Sequence, residues 1–290
     1  TSQGRVFWLK VYQIPLAGRN ARGRPMVNLL SLDEGERITS ILPVDSYDDE
    51  RFIFMATANG TVKRTPLSAF SRQRSSGLRA IELNEGDDLV GTSITSGNGD
   101  IMLFSSSGKS MRFSEENVRS MGRTAKGVRG IRLEDGEAVI SLIIPEENSQ
   151  ILTASENGYG KRTKVDGFPC KGRGGRGVIA QQCSERNGAL VGAIQVVDGN
   201  EMMLISDQGT LVRTRVEEVS QSGRNTQGVK LIRLKSGEKL VGVERILETS
   251  DEVDTLSEQS SEDTVVESEV TMSPEVDAPA DDAAPSSDET

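Results

Sequence analysis

Along the first 246 residues, short apolar runs alternate with polar, glycine-bearing turns. Met102-Leu103-Phe104, Leu190-Val191-Gly192-Ala193-Ile194 and Met203-Leu204-Ile205 have the length of strands. The dipeptides Asn59-Gly60, Asp135-Gly136, Asn157-Gly158 and Asn187-Gly188 are hairpin-turn signals. The pattern is periodic. A turn glycine precedes a short strand at Gly4, Gly60, Gly108, Gly158 and Gly209, with spacings of 56, 48, 50 and 51. A second glycine, at Gly23, Gly77, Gly127, Gly177 and Gly228, follows 19, 17, 19, 19 and 19 residues later and is expected to open another apolar strand. Five copies of a unit of about fifty residues predict an all-β body with a radial or stacked repeat architecture. Ankyrin and tetratricopeptide units are shorter and helical, and fit less well.

Charge divides the chain in two. The net charge is -10, but residues 247–290 hold fifteen acidic residues and no Lys or Arg. The preceding 246 residues carry all 34 basic and 44 - 15 = 29 acidic residues, a balance of +5. The predicted organisation is a β body over 1–246 and an acidic tail over 247–290. The tail has no aromatic residue and is rich in Ser, Pro, Asp and Glu, so it is expected to be disordered: it has too little apolar surface to offset the entropy of ordering. A body of 246 residues can bury a full core without cross-links, and only Cys170 and Cys183 occur, which reads as a protein of a reducing cytoplasm rather than a disulfide scaffold. No apolar run approaches the ~18 residues of a membrane span. The start, Thr1-Ser2-Gln3-Gly4, falls at the first anchor's turn, so part of an upstream repeat is expected to be missing.

Basic residues recur with the repeat. Arg19, Arg123, Arg173 and Arg224 stand four residues before the second glycine, where the remaining copy has Gln73 between Arg72 and Arg74. They lie in segments rich in Gly, Ser, Thr and Asn, and Arg22, Arg24, Arg79, Lys126, Arg129 and Lys230 add charge around the same glycines. Glycine lets the backbone approach a phosphate, while free N–H groups and the guanidinium fork supply donors. The richest copy is Lys171-Gly172-Arg173-Gly174-Gly175-Arg176-Gly177. All these residues are candidate contacts to nucleic acid. A second set, Arg64, Arg112, Arg162 and Arg213, follows the first glycine by four residues, with Lys63 and Lys161 immediately before two of them. These fall inside predicted strands, where a side chain that packs its stem and pairs with a carboxylate is as good a reading as DNA contact. Single-strand binders need stacking platforms, yet aromatic residues form 4% of the chain and none follows Phe168. Duplex contact through phosphates, with little base reading, is favoured.

Enzyme chemistry finds little support. The chain has no histidine, which removes histidine triads and His-containing zinc sites, and two cysteines cannot make a Cys-only zinc site. Gly108-Lys109-Ser110 looks like the end of a phosphate-binding loop, but the glycine required five residues earlier is Leu103. Asp48-Asp49 and Asp87-Asp88 are read as solvated charge in polar turns rather than as a glycosidase pair. No cofactor is implied.

Several segments resemble the C-terminal domain of the A chain of bacterial DNA gyrase. They are Val11-Tyr12-Gln13-Ile14-Pro15, Gly23-Arg24-Pro25-Met26-Val27-Asn28-Leu29-Leu30, residues 55–63, Gly127-Val128-Arg129-Gly130-Ile131-Arg132-Leu133, residues 157–163 and residues 223–229. The resemblance extends over residues 1 to about 246 and includes the acidic tail. It implies a six-bladed β-pinwheel, a propeller-like disc whose basic rim wraps duplex DNA with positive handedness, in support of ATP-dependent negative supercoiling. It implies as partners duplex DNA, the rest of the gyrase A polypeptide and the gyrase B polypeptide in an A2B2 holoenzyme, in the bacterial cytoplasm at the nucleoid. Strand breakage and ATP hydrolysis then belong to segments outside this chain. The family's signature box, Q-R-R-G-G-K-G, is absent. Lys171 to Gly177 is a near match lacking the Gln, in the fourth repeat. The related domain of topoisomerase IV, with fewer or degenerate repeats, and a propeller serving as a protein-interaction platform are the alternatives.

Overall fold

The computed structural model describes residues 1–17 and 21–246; Arg19 and the acidic segment 247–290 lie outside the described residues. The described body contains strands and short 3-10 turns only, as the short apolar runs between turn glycines predict. The strands are β1 (Arg5–Val6), β2 (Phe52–Thr57), β3 (Thr61–Pro66), β4 (Leu78–Arg79), β5 (Leu89–Thr95), β6 (Asp100–Ser105), β7 (Lys109–Ser114), β8 (Val128–Arg129), β9 (Val139–Ile143), β10 (Gln150–Ser155), β11 (Tyr159–Lys164), β12 (Val178–Ile179), β13 (Leu190–Val196), β14 (Glu201–Ser206), β15 (Leu211–Arg215), β16 (Val229–Lys230) and β17 (Leu240–Ile246).

They form five sheets. Three are four-stranded, in the orders β5-β2-β3-β8, β9-β6-β7-β12 and β13-β10-β11-β16; the others are β17-β14-β15 and β1-β4. Every pairing between strands is antiparallel. Each four-stranded blade is built by two repeats. A repeat supplies its own hairpin and the strand that returns beside it, while the two-residue strand on the far edge comes from the following repeat. Thus β8, β12 and β16 strap onto β3, β7 and β11 of the preceding copies.

The first anchor glycine is required by the hairpin turn. At Gly60, Gly108 and Gly158 φ is about +76 to +81°, a region that side chains other than glycine rarely enter. Asn59-Gly60 and Asn157-Gly158 close hairpins as expected. Asp135-Gly136 and Asn187-Gly188 instead lie between strap and returning strand, where a side-chain acceptor closes the turn: the N–H of Glu134 donates to Glu137 and that of Ser184 to Asn187.

The core lies between blades rather than within one. Phe54, Ala56 and Val62 of one blade pack with Ile101, Leu103, Met111 and Phe113 of the next. The same arrangement places Phe104 against Phe168, their ring centroids 6.0 Å apart. The returning strands β5, β9, β13 and β17 line the inner side of the body, where small residues allow close approach. A Cβ at Gly192 would come within 2.7 Å of Val243 Cγ1, and at Ser141 the hydroxyl instead accepts the Ala193 N–H at 3.0 Å.

The first repeat departs from the pattern. Gly23 opens no strand; Met26–Asn28 forms a 3-10 turn. At the strap position stands Arg24-Pro25. Val11, Tyr12, Leu16 and Val27 nearby are exposed.

Candidate nucleic-acid interface

The strap exchange decides where the basic loops sit. Because the strap strand of one repeat pairs with the hairpin of the preceding one, the loop that leads into it is carried onto that preceding blade's outer edge. The loop is pinned there before the strap begins. Met121 donates its N–H to Arg64 O at 2.8 Å, Lys171 to Arg112 O at 2.8 Å and Ser222 to Arg162 O at 2.8 Å. Successive loops also join one another. The N–H groups of Glu82, Arg132 and Gln182 donate to the carbonyls of Ala125, Gly175 and Thr226, each two residues before the next repeat's second glycine. The loops therefore form a connected tier along consecutive blade edges, pinned and joined by backbone hydrogen bonds.

Cations populate this tier. Arg72, Arg74 and Arg79 are exposed on the first edge, with Arg22 and Arg24 exposed in the segment before it. Arg123 is half-buried, with Lys126 and Arg129 exposed, on the second. Lys171, Arg173 and Arg176 are exposed on the third, and half-buried Arg224 with exposed Lys230 stands on the fourth. The strap's second residue is Arg79, Arg129 or Lys230 on three edges; on the third it is Ile179, and there the loop carries three cations of its own.

The loop guanidiniums have structural duties as well. Arg173 donates to Asn117 O at 2.8 Å and to Arg129 O at 3.0 Å, and Arg224 donates to Ile179 O at 3.0 Å. Each thus ties its loop to the preceding strap with one or two of its five donors. Lys230 rests its ammonium 4.7 Å from the centroid of Tyr159, which also carries the Arg186 guanidinium at 5.0 Å.

The strand cations behave differently. Arg112 donates to Asp100 at 2.7 Å and to the carbonyls of Val165 and Phe168, 3.0 and 3.2 Å away in the following repeat. Arg162 makes the equivalent set with Asp198, Val219 O and Glu217 O. Arg64 lies over the Phe52 ring and donates to Gly97 O, and Arg213 pairs with Glu201. These four are fasteners within and between blades.

Lys63 and Lys161 are fully buried, so neither can touch a duplex directly. Each ammonium meets carbonyl oxygen of the next repeat's loop, and Lys63 also meets Ala80 O of its own repeat. Burial, with repulsion from Arg123 in one case and Arg224 in the other, lowers the pKa of each to about 8.

Asp87, expected as solvated turn charge, is 7% exposed and accepts the Asn59 N–H at 2.9 Å. Asp48 accepts from the backbone and side chain of Arg51. Both carboxylates organise turns. Among the described residues no group of three or more His, Cys, Asp or Glu is arranged to hold a metal ion, and no helix is long and apolar enough to cross a membrane.

Comparison with known proteins bears on this geometry. A family model described as the DNA gyrase C-terminal domain, beta-propeller, matches residues 1–45, 51–96, 99–146, 149–196 and 200–246, one match per repeat. The DNA gyrase A polypeptide of Salmonella typhimurium is 52% identical over 286 residues, which is 98% of this chain and 32% of that protein. The DNA gyrase A polypeptide of Escherichia coli is 52% identical over 277 residues, 96% of this chain and 31% of that protein. The chain thus spans about a third of the length of the curated relatives it matches. A solved DNA gyrase A C-terminal domain superposes with a TM-score of 0.73 at 25% identity, covering 85% of this chain and 80% of that one. The C-terminal domain of a DNA topoisomerase IV superposes at 0.79 with 22% identity, covering 90% and 82%, and shares the fold.

Proposed function

The chain belongs to the DNA gyrase C-terminal domain family, and from that premise we propose that it binds duplex DNA along its consecutive blade edges and bends the duplex around them. The observation that carries this reading is the recurrence of cations on a backbone-fixed tier, on four successive blade edges, at the positions brought to the edge by the straps. A helical polyanion presents phosphates at regular intervals, so a ligand with regularly spaced charge can follow it without reading bases. Bending a 20 to 30 bp site by 40 to 90° costs roughly 1 to 6 kcal/mol, and contacts spread along the path are what offset such a cost. Within a complete gyrase, the bent segment would be presented to the rest of the A polypeptide for strand passage, with the B polypeptide hydrolysing ATP, in the bacterial cytoplasm at the nucleoid. Breakage and ATPase chemistry are assigned to those other parts. Gyrase A relatives at half identity weigh against the topoisomerase IV alternative, and repeated exposed arginines weigh against a neutral protein-docking platform.

The test is affinity for unrelated duplexes across a salt series, paired with topoisomer formation on relaxed circular DNA. About ten phosphate contacts give a slope of log K against log salt near -9. Replacing Lys171, Arg173 and Arg176 by Ala is expected to make the slope shallower by roughly 3 and to shorten the protected DNA. Strong sequence preference with a shallow slope, or no shift in topoisomers, would count against binding and bending by this edge.

A further inference from the structure

Two of the blade edges are supported from below by a buried ammonium. Lys63, in β3, donates to Ala80 O at 2.6 Å and to Arg123 O at 2.5 Å. Lys161, in β11, donates to Gly223 O at 2.6 Å, to Arg224 O and to Thr226 Oγ1 at 3.2 Å. Each lysine stands three residues after its repeat's first glycine. In both cases the basic loop delivered by the following repeat turns carbonyls inward to meet the ammonium.

That orientation has a consequence for the other side of the same peptides. In a trans peptide the C=O and the next residue's N–H point in opposite directions. Inward carbonyls at Arg123, Gly223 and Arg224 therefore send the N–H groups of Thr124, Arg224 and Asn225 outward. None of these three N–H groups donates to an acceptor among the described residues. Outward N–H groups beside a guanidinium are the donor set of a phosphate site.

Building on the DNA-binding reading above, we propose that Lys63 and Lys161 are positioning residues: each holds the loop of the next repeat carbonyl-inward, so that Thr124 on one edge and Arg224 with Asn225 on another present backbone N–H groups to a DNA phosphate. The edge between them is the internal control. Its equivalent residue is Met111, which packs under Gly175, and its loop amide Gly174 donates to Gly130 O at 2.6 Å. The fold thus accepts a methionine in this place, and there the amide equivalent to those of Thr124 and Asn225 is committed to a carbonyl of the preceding repeat instead of being left free.

The protonation of the two lysines supports the same picture. The charged group facing Lys63 is the Arg123 guanidinium and that facing Lys161 is Arg224; the other groups around them are neutral carbonyls and a hydroxyl, and no carboxylate pairs with either among the described residues. With a pKa of about 8, each is charged at pH 7 and loses its proton through the next two pH units. A neutral amine holds the carbonyls less firmly and withdraws a positive charge from beneath the loop.

The experiment uses the full chain and a short duplex of arbitrary sequence. Lys63→Met, Lys161→Met and the double variant are compared with the wild type by thermal melting, by backbone amide NMR and by affinity between pH 7 and 9. The double variant is expected to fold and to bind roughly tenfold more weakly at pH 7, the loss of charge-assisted hydrogen bonds that order the loops. Wild-type affinity should fall from pH 7 to 9, and that of the double variant should stay nearly level. In the wild type, the amides of Thr124, Arg224 and Asn225 should shift on DNA addition and, unlike those of residues 171–177, also move with pH through about 8. Folded variants with unchanged affinity and pH profile would overturn the proposal. So would wild-type amides at these three positions that ignore DNA while neighbouring cations respond, a measurement that needs no variant. Absence of any DNA binding by the wild type would instead remove the reading on which the proposal rests.

Discussion

Arginine serves two purposes here, and the spacing from a glycine separates them. Four residues after the first glycine, the side chain lies in a strand and reaches acceptors whose identity depends on the neighbouring repeat. Sequence could place Arg112 in a strand and leave open what it touched, because Val165 and Phe168 lie more than fifty residues away and offer only backbone carbonyls. Four residues before the second glycine, the side chain lies in a glycine-rich loop, a setting legible from composition alone, although Arg123 and Arg224 are half-buried there and Arg173 is exposed. Lys63 and Lys161 were not legible as buried: no carboxylate near them in sequence betrays the pairing, and each reaches main-chain oxygens of the next repeat's loop. For Arg112→Ala the expectation follows from its contacts. Removing it leaves Asp100 and two carbonyls without their donor, a cost of about 2 kcal/mol after allowing for partial exposure. The variant should melt at lower temperature, while affinity for duplex, measured well below that melt, stays unchanged. A large loss of affinity with unaltered melting would make Arg112 a DNA contact instead of a fastener.

At the level of elements, the hairpins and returning strands could be read from glycine spacing and apolar runs, and β6, β13 and β14 fall where the sequence places them. The straps could not be read so fully. Two residues are too few for periodicity to show, and nothing in Val178-Ile179 announces that its partner is Lys109-Ser110 of the preceding repeat. The second glycine is the visible trace of that exchange. Gly177 has φ +75°, and a Cβ there would overlap the carbonyl oxygen of Ser110, so the close backbone approach that docks the strap needs glycine. In the first repeat the glycine is present and Arg24-Pro25 follows it, yet the same signal yields no strand there. Gly177→Ala should therefore cost about 1–3 kcal/mol through left-handed backbone strain, with the overlap adding to it. Hydrogen exchange should quicken at residues 171–179 while β13 and β14 keep their protection. Uniform loss of protection throughout the body, or none, would mean that the strap is not a separately docked element.

Over the whole molecule, charge segregation sets how the chain meets a polyanion. The first 246 residues carry +5 and residues 247–290 carry -15, so the full chain approaches DNA with a net charge of -10. Affinity is governed by the local cations once phosphates are in contact, but the encounter and the long-range part of the attraction depend on the total. Fifteen carboxylates joined to the binding body should therefore lower affinity at low salt. Their effect should fade as the screening length contracts from about 30 Å at 0.01 M to about 8 Å at physiological ionic strength. A chain ending at Ile246 is expected to bind one duplex more tightly than the full chain, with the difference shrinking as salt rises. Neutralising the acidic residues of 247–290 to Asn and Gln should reproduce most of the gain, because the mechanism requires charge and not length. Equal affinities of full and shortened chains at low salt would show that the acidic segment leaves DNA binding untouched. A gain from shortening that neutralisation fails to reproduce would assign the effect to the bulk of the segment rather than to its charge.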